Sequence, residues 1–100
     1  MGGAVVTLEE LKARREAILA VAHRRGALSV RVFGSVAREE ADAVSDVDFL
    51  VELESGRSLL DLGGLLMDLE EQLHCRVDVM TPAMLKPRLR ERVLREAVPL

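Results

Sequence analysis

The sequence predicts an α/β (α+β) domain in which about four helices flank a three-stranded mixed sheet. Apolar runs that alternate every second residue, typical of strands, occur between longer runs that repeat every three to four residues, typical of helices. Capping residues, glycine and proline separate these runs. The chain has 100 residues, enough for one modest core, so we predict a single domain over residues 1–100.

The first half of the chain predicts two helices and two strands. Thr7 and Glu10 have the spacing of a capping box, and Gly26 is a typical helix end. Apolar alternation then marks a strand on each side of a short helix. The predicted elements are a helix over 8–25, a strand over 29–33, a short helix over 35–41 and a strand over 47–53.

The second half predicts a long helix, a strand and a final helix. Ser58 is an N-cap residue, and the leucines that follow it repeat at helical spacing. Thr81 and Pro82 form an N-cap followed by proline at the first helical position. The predicted elements are a helix over 59–73, a strand over 76–80, a turn over 82–86 and a helix over 87–97, which makes the order αβαβαβα.

Charge is strongly segregated along the chain, although the net charge is only −3. Residues 1–38 carry seven basic and three acidic side chains. Residues 39–78 carry two basic and twelve acidic side chains, and residues 79–100 carry five basic and two acidic ones. An acidic middle segment disfavours direct contact with phosphate backbones. With two aromatic residues, the chain also offers few stacking surfaces. We therefore predict no direct nucleic-acid partner.

The sequence predicts no membrane association and a cytoplasmic location. No apolar run approaches the ~18 residues that a membrane span needs. The N-terminal residues lack the basic and then apolar order of a secretory signal. Cys75 is the single cysteine, which excludes an internal disulfide and fits a reducing compartment.

Three aspartates are candidate metal ligands. Asp46 and Asp48 lie two residues apart at the start of a predicted strand, so they project to the same side, roughly 7 Å apart along the backbone. Asp78 alternates with two valines in the next strand, and a helical crossover allows the two strands to be neighbours. Three converging carboxylates repel one another unless a cation lies between them, and hard oxygen ligands suit Mg²⁺. The pattern predicts a two-metal site for phosphoryl displacement.

A small turn between the first strand and the short helix is a candidate phosphate site. Gly34 allows the backbone to approach a phosphate closely, and Ser35 begins a helix whose free N–H groups favour an anion. Arg38, one turn later, can supply a fixed positive charge. Alternatively, Ser35 is only an N-cap, Arg38 forms a surface ion pair with Asp42, and the aspartates cap a turn or pair with arginine.

The joined pattern resembles the signature of the nucleotidyltransferase superfamily that includes DNA polymerase beta and kanamycin nucleotidyltransferase. That signature is Gly-Ser, ten residues, and then Asp-x-Asp, and it is complete here as Gly34, Ser35, Asp46 and Asp48, with Asp78 matching the third acid. The chain most resembles the minimal nucleotidyltransferases, the MntA-like antitoxins. The similarity extends from the first helix to the C-terminal residues.

The resemblance implies Mg²⁺-dependent transfer of AMP from ATP. Asp46, Asp48 and Asp78 would hold two Mg²⁺ ions, and Gly34 and Ser35 would bind the β- and γ-phosphates. The acceptor would be a tyrosine of a partner HEPN toxin, which the modification silences, in a type VII toxin–antitoxin pair. One departure is Glu39, where many relatives carry glycine; on a short exposed helix it is expected to be tolerated.

Two other functions fit the sequence. A non-catalytic antitoxin would mask its partner by binding, through the smooth helix face of Leu60, Gly64 and Met67 or through the arginines of the last helix. Those arginines equally form a solvated face with i,i+4 pairs such as Arg92 with Glu96. Transfer to a small molecule is the third function, but relatives of that kind have a second domain that grips the acceptor.

Overall fold

The computed structural model describes residues 6–42 and 46–100. None of the helices in these ranges has the length and apolar character to cross a membrane. The prediction of one domain over 1–100 includes residues 1–5 and 43–45, which lie outside the described residues, and it stays a prediction. The elements are α1 (Leu8–Ala13), α2 (Arg15–Arg24), β1 (Ala27–Phe33), α3 (Gly34–Ala37), β2 (Val47–Leu53), α4 (Leu59–Leu73), β3 (Val77–Met80), a 3-10 turn (Pro82–Met84), α5 (Pro87–Glu96) and β4 (Val98–Pro99).

The α+β class with a mixed sheet is confirmed, but across the described ranges the sheet has four strands in the order β3-β2-β1-β4, not three, and the helices number five. β1 pairs antiparallel with β2 and with β4, whereas β2 and β3 are parallel because α4 crosses between them. The prediction missed β4, which pairs Val98 with Val32 and Pro99 with Arg31. Two residues, one of them proline, are too few to show strand alternation.

The sheet divides the apolar residues into two clusters. The larger cluster lies beneath α1, α2 and α4 and includes the valines of β1, β2 and β3 that face those helices. The smaller one lies on the opposite face against α5 and comprises Phe33, Leu50, Leu85 and Val93. Because Asp48 and Asp78 alternate with buried residues of the larger cluster, both project from the face that α5 covers only in part.

The predicted bounds of two elements are confirmed, those of β1, β3 and α5 differ by one or two residues, and those of two predicted helices are wrong. β2 and α4 match the predicted ranges, and Ser58 with Asp61 completes a capping box at the start of α4. The predicted helix over 8–25 is divided at Arg14, whose backbone leaves the helical region with φ −101° and ψ 15°. Thr7 caps α1 as predicted, because its Oγ1 accepts a hydrogen bond of 3.1 Å from the amide of Glu10.

The predicted helix over 35–41 is shorter than expected, since α3 ends at Ala37. The amide of Glu39 donates to the carbonyl of Val36 at 3.1 Å, and the amide of Glu40 donates to that of Ser35 at 2.8 Å. This pair of bonds is a Schellman motif, which requires a left-handed residue after the helix. Glu39 holds that position with φ +59°. The prediction that Glu39 lies on the short helix is therefore wrong, because Glu39 occupies the position after the helix that favours glycine.

We predict that Glu39→Gly stabilises the protein by about 1 kcal/mol, because an L-residue in the left-handed region costs ~1–2 kcal/mol and the entropy of unfolded glycine offsets part of the gain. Thermal unfolding should shift upward by about 4–8 °C per kcal/mol in a chain of this size. Glu39→Ala, which removes the charge and keeps Cβ, should give no such gain. An equal gain in both variants would assign the effect to charge and not to backbone strain.

Candidate active site

The parallel register of β2 and β3 places two of the three candidate acids side by side. Asp48 lies directly opposite Asp78, and neighbouring strands are separated by about 4.8 Å. On its other side Asp48 lies opposite Phe33, the last residue of β1. Asp48 is half-buried and Asp78 is exposed, so the pair opens toward solvent at the Asp78 side. The juxtaposition expected if the two strands were neighbours is therefore present.

Asp48 is the electrostatic centre of the cluster. Burial first, and then the neighbouring charges of Asp78 and Asp46, together raise the pKa of its carboxyl from 3.8 to about 6. The positive charge of Arg38 acts in the opposite direction. Three acids thus interact at one place, and the negative charge there is compensated only in part by the nearby arginine.

The third acid, Asp46, immediately precedes β2 and lies close enough to influence Asp48, as the i,i+2 spacing predicts. Its Oδ1 lies 3.5 Å from Nε of Arg76, which is 85% exposed, so this ion pair is weak and easily exchanged. Within residues 6–42 and 46–100, no three His, Cys, Asp or Glu side chains are grouped ready to hold a metal ion.

The donor chemistry of these acids nevertheless fits a divalent cation. All three offer only carboxylate oxygens, the ligands that Mg²⁺ prefers, and their mutual repulsion raises the pKa of Asp48. A cation between them would remove that repulsion. Their roles as metal ligands and catalytic residues remain predictions.

Gly34 brings the backbone of the β1–α3 corner against Asp48. Its φ is +74°, and a Cβ atom at this position would overlap the Oδ2 atom of Asp48 and lie 3.1 Å from its Cγ atom. Only glycine permits this approach without moving the carboxylate. Ser35 follows in the first turn of α3 and is partly exposed. The first amides of a helix have no partner inside it, so the corner has donors available next to the acids.

Arg38 has carboxylate partners that the sequence did not indicate. Its Nε donates to Oε1 of Glu40 at 2.9 Å, and its Nη1 lies 3.5 Å from Oε2 of Glu96. From the sequence, the alternative role of Arg38 is an ion pair with Asp42. Arg38 is 37% exposed, so it remains accessible from solvent, and its charge acts on Asp48.

A groove beside the Gly34 corner was not predicted from the sequence. It has a volume of about 220 Å³ and is lined by Phe33, Gly34, Arg38, Leu89, Arg92, Val93 and Glu96. The predicted i,i+4 pair of Arg92 and Glu96 is present at 3.2 Å. The sequence could not indicate that this pair lies beside Arg38. The packing of α5 on α3 brings Glu96 to Arg38, and the two residues are 58 positions apart in the chain.

Acids on adjacent strands beside a glycine corner at the start of a helix are suited to binding a charged phosphate ester. Residues 14–100 match the nucleotidyltransferase domain family. The chain belongs to this family. The predicted enzyme class, a nucleotidyltransferase, is thereby confirmed, and a nucleotide is its substrate.

Two relatives share most of their length with this nucleotidyltransferase. Protein adenylyltransferase MJ0435 of Methanocaldococcus jannaschii, a provisional name, is 41% identical over 93 residues, which cover 93% of this chain and 97% of the relative. Protein adenylyltransferase MntA of Thermococcus cleftensis is 42% identical over 101 aligned positions, covering 95% and 97%. The resemblance to the MntA-like minimal nucleotidyltransferases is confirmed.

Solved structures agree with this assignment. A protein described provisionally as a minimal nucleotidyltransferase is 57% identical, with a TM-score of 0.84 and coverage of 95% of this chain and 97% of the other. A toxin–antitoxin crystal structure with AMP-PNP has a TM-score of 0.72 at 17% identity, covering 84% and 69%. The second similarity, at that identity, establishes the fold alone.

We predict that Asp48→Asn stabilises the metal-free protein at pH 8 by about 1–2 kcal/mol, less than the full shift implies because the site is partly solvated. The folded pKa of Asp48, about 6, is above its unfolded value of 3.8. Protonation of Asp48 therefore favours the folded state. This contribution to the free energy of unfolding is fully present below pH 3.8 and is lost as pH rises through 6. Urea unfolding with a chelator should show the two proteins converging near pH 4. A constant difference at every pH would contradict this.

Proposed function

We propose that this protein is a Mg²⁺-dependent adenylyltransferase that transfers AMP from ATP to a hydroxyl group of a partner toxin and acts as its antitoxin. The pairing of Asp48 with Asp78 beside the Gly34 corner is the observation that carries the proposal. It places adjacent carboxylates beside a glycine corner at one edge of the sheet. The predicted cytoplasmic location belongs to the same proposal.

The three acids have distinct roles in this proposal. Asp46 and Asp48 would hold two Mg²⁺ ions, and Asp78 would complete the position nearest the acceptor, since it is the most exposed of the three. When bound, Mg²⁺ supplies the positive charge that phosphoryl transfer requires. The weak pair between Asp46 and Arg76 does not prevent this, because an exposed arginine yields readily to a divalent ion.

The chain's own residues place the triphosphate in this scheme. Backbone amides at Gly34 and Ser35 would bind the β- and γ-phosphates, with Arg38 as a further positive contact. The α-phosphate then lies toward the acids. The acceptor oxygen forms a bond to the α-phosphorus as the bond to the β-phosphate breaks, the hydroxyl proton is released, and pyrophosphate leaves.

The relatives support a protein acceptor and a toxin partner. Two of them carry the name protein adenylyltransferase, and the fold recurs in toxin–antitoxin structures, including one of a mutant MntA–HpeT pair with a TM-score of 0.69 at 15% identity. From the family resemblance we propose a tyrosine of a HEPN-type toxin as the acceptor. The nucleotide of the AMP-PNP structure is consistent with ATP as donor.

The direct test is to incubate the protein with ATP labelled at the α-phosphate, Mg²⁺ and the helical protein encoded beside it. We expect label on the partner, none when Mg²⁺ is chelated, and a loss of at least about 100-fold with Asp48→Asn, since removal of a charged group that acts in the transition state costs ~2.7 kcal/mol or more. Peptide mass spectrometry should locate AMP on tyrosine.

The matched control is Glu52→Gln, which removes an exposed acid from the same strand and should leave labelling unchanged. Since Asp48→Asn is expected to be at least as stable as wild type, unfolding would not account for its inactivity. Wild-type protein that places no label on the partner would refute the enzymatic proposal, as would undiminished labelling by Asp48→Asn.

Masking by binding is the second candidate function, and the outer face of α4 favours it. Leu59 and Leu60, in the first turn, are 76% and 87% exposed, and Met67, about two turns later, is 69% exposed. A surface helix normally presents polar residues there. A Cβ atom added at Gly63 would meet no other atom within 4 Å, whereas one added at Gly64 would overlap the side chain of Arg25. The predicted smooth face is thus formed by Leu60, Gly63 and Met67, with Gly64 used in internal packing.

An Asp46→Asn, Asp48→Asn double variant separates the two functions. We expect it to bind the toxin but to fail to protect cells, because both proposed metal ligands lose their charge while α4 is unchanged. Growth after toxin induction and co-purification of the partner are the measurements. Full protection by the double variant, together with its loss on Leu60→Asp, would establish masking as the function.

A further inference from the structure

The groove between α3 and α5 begins at the proposed phosphate corner. Gly34 is among the residues that line it, and Phe33, Leu89 and Val93 form apolar walls. Gly34 also lies against Asp48, because a Cβ atom at Gly34 would overlap the Asp48 carboxylate. A triphosphate bound at Gly34 can therefore reach the acids with its α-phosphate and the groove with its terminal phosphates.

Two guanidinium groups lie at this groove and share one carboxylate. Glu96 is 3.5 Å from Nη1 of Arg38 and 3.2 Å from Nε of Arg92. Arg92 is 61% exposed, so its remaining N–H donors are accessible to a ligand. Arg38 also pairs with Glu40, so these four side chains are balanced in charge and a bound polyanion must compete for the arginines.

The end of α5 is fixed beside the corner by the sheet itself. β4 follows α5 directly and pairs Val98 with Val32 of β1, one residue before Phe33. Glu96 is thus anchored two residues away from a strand pairing, and it holds both arginines at the groove. This anchoring reduces the conformational entropy that the arginines lose when a ligand binds.

We propose that Arg92 is a second positively charged contact for the terminal phosphates of the nucleotide, acting beside Arg38 in the groove. The inference rests on the proposed function and adds α5 to the nucleotide site. Other arginines of α5 do not fit this role. Arg90 donates to the carbonyls of Pro82 at 2.7 Å and Leu85 at 3.0 Å, and Arg88 and Arg95 are both absent from the groove lining.

Calorimetric titration with three probes tests the inference in the presence of Mg²⁺. The probes are an ATP analogue with a methylene bridge between the α- and β-phosphates, which blocks transfer, inorganic pyrophosphate, and AMP. We expect Arg92→Gln to weaken the binding of the analogue and of pyrophosphate by about 5- to 20-fold, the size of one charge-assisted contact. The affinity for AMP should fall by less than about twofold. Arg92→Lys should recover most of the affinity.

Arg95→Gln is the matched control, because it removes the same charge from the next turn of the same helix outside the groove. It should change each affinity by less than about twofold, which excludes a general effect of net charge. Unchanged binding of pyrophosphate by Arg92→Gln would overturn the inference, and so would an equal loss for AMP, which would place the nucleoside in the groove. Wild-type protein that binds neither analogue nor pyrophosphate would overturn the proposed function as well.

Discussion

The parallel pairing of β2 with β3 is the constraint on which the rest of the site depends. It places Asp48 opposite Asp78 and directs both to the face away from the larger core. A shift of one residue would turn either aspartate toward the larger core, where a charge is expensive to bury. The valines and Phe49 on the other face therefore determine where the acids project, because their burial fixes the register.

In the metal-free protein, that register holds Asp48 close to other carboxylates that repel its charge. The raised pKa of Asp48 means that charge is held at a place where water is partly excluded and neighbours repel it. A bound cation would relieve this repulsion, whereas without one the repulsion lowers the stability of the free protein. Gly34 contributes to the same arrangement, since its missing side chain lets the backbone amides approach the acids.

Ion pairs of two arginines connect the candidate site to α5. Arg38 on α3 is linked through Glu96 to Arg92 on α5, and β4 holds this end of α5 against β1. The two-residue strand β4 thereby has a role beyond completing the sheet. It joins the third layer of the fold, α5, to the corner at which the nucleotide phosphates are proposed to bind.

Local chemistry made much of this predictable from the sequence. Alternation located β2, leucine spacing and Ser58 located α4, and the Gly34–Asp48 pattern identified the family. Asp78 was also found from alternation with its neighbouring valines. These features depend on residues close together in the chain, where the repeat of a strand or helix fixes which side chains share a face.

Tertiary structure alone decided the remaining features. The pairing of β4, the left-handed backbone of Glu39 and the union of Arg38 with Glu96 depend on contacts between distant elements or on how a helix ends. The sequence by itself determined which residues are candidates for the chemistry, because their types and spacing are local properties. Packing decided what surrounds them and how strongly each charge is felt, because burial and distance arise only when the sheet and helices assemble.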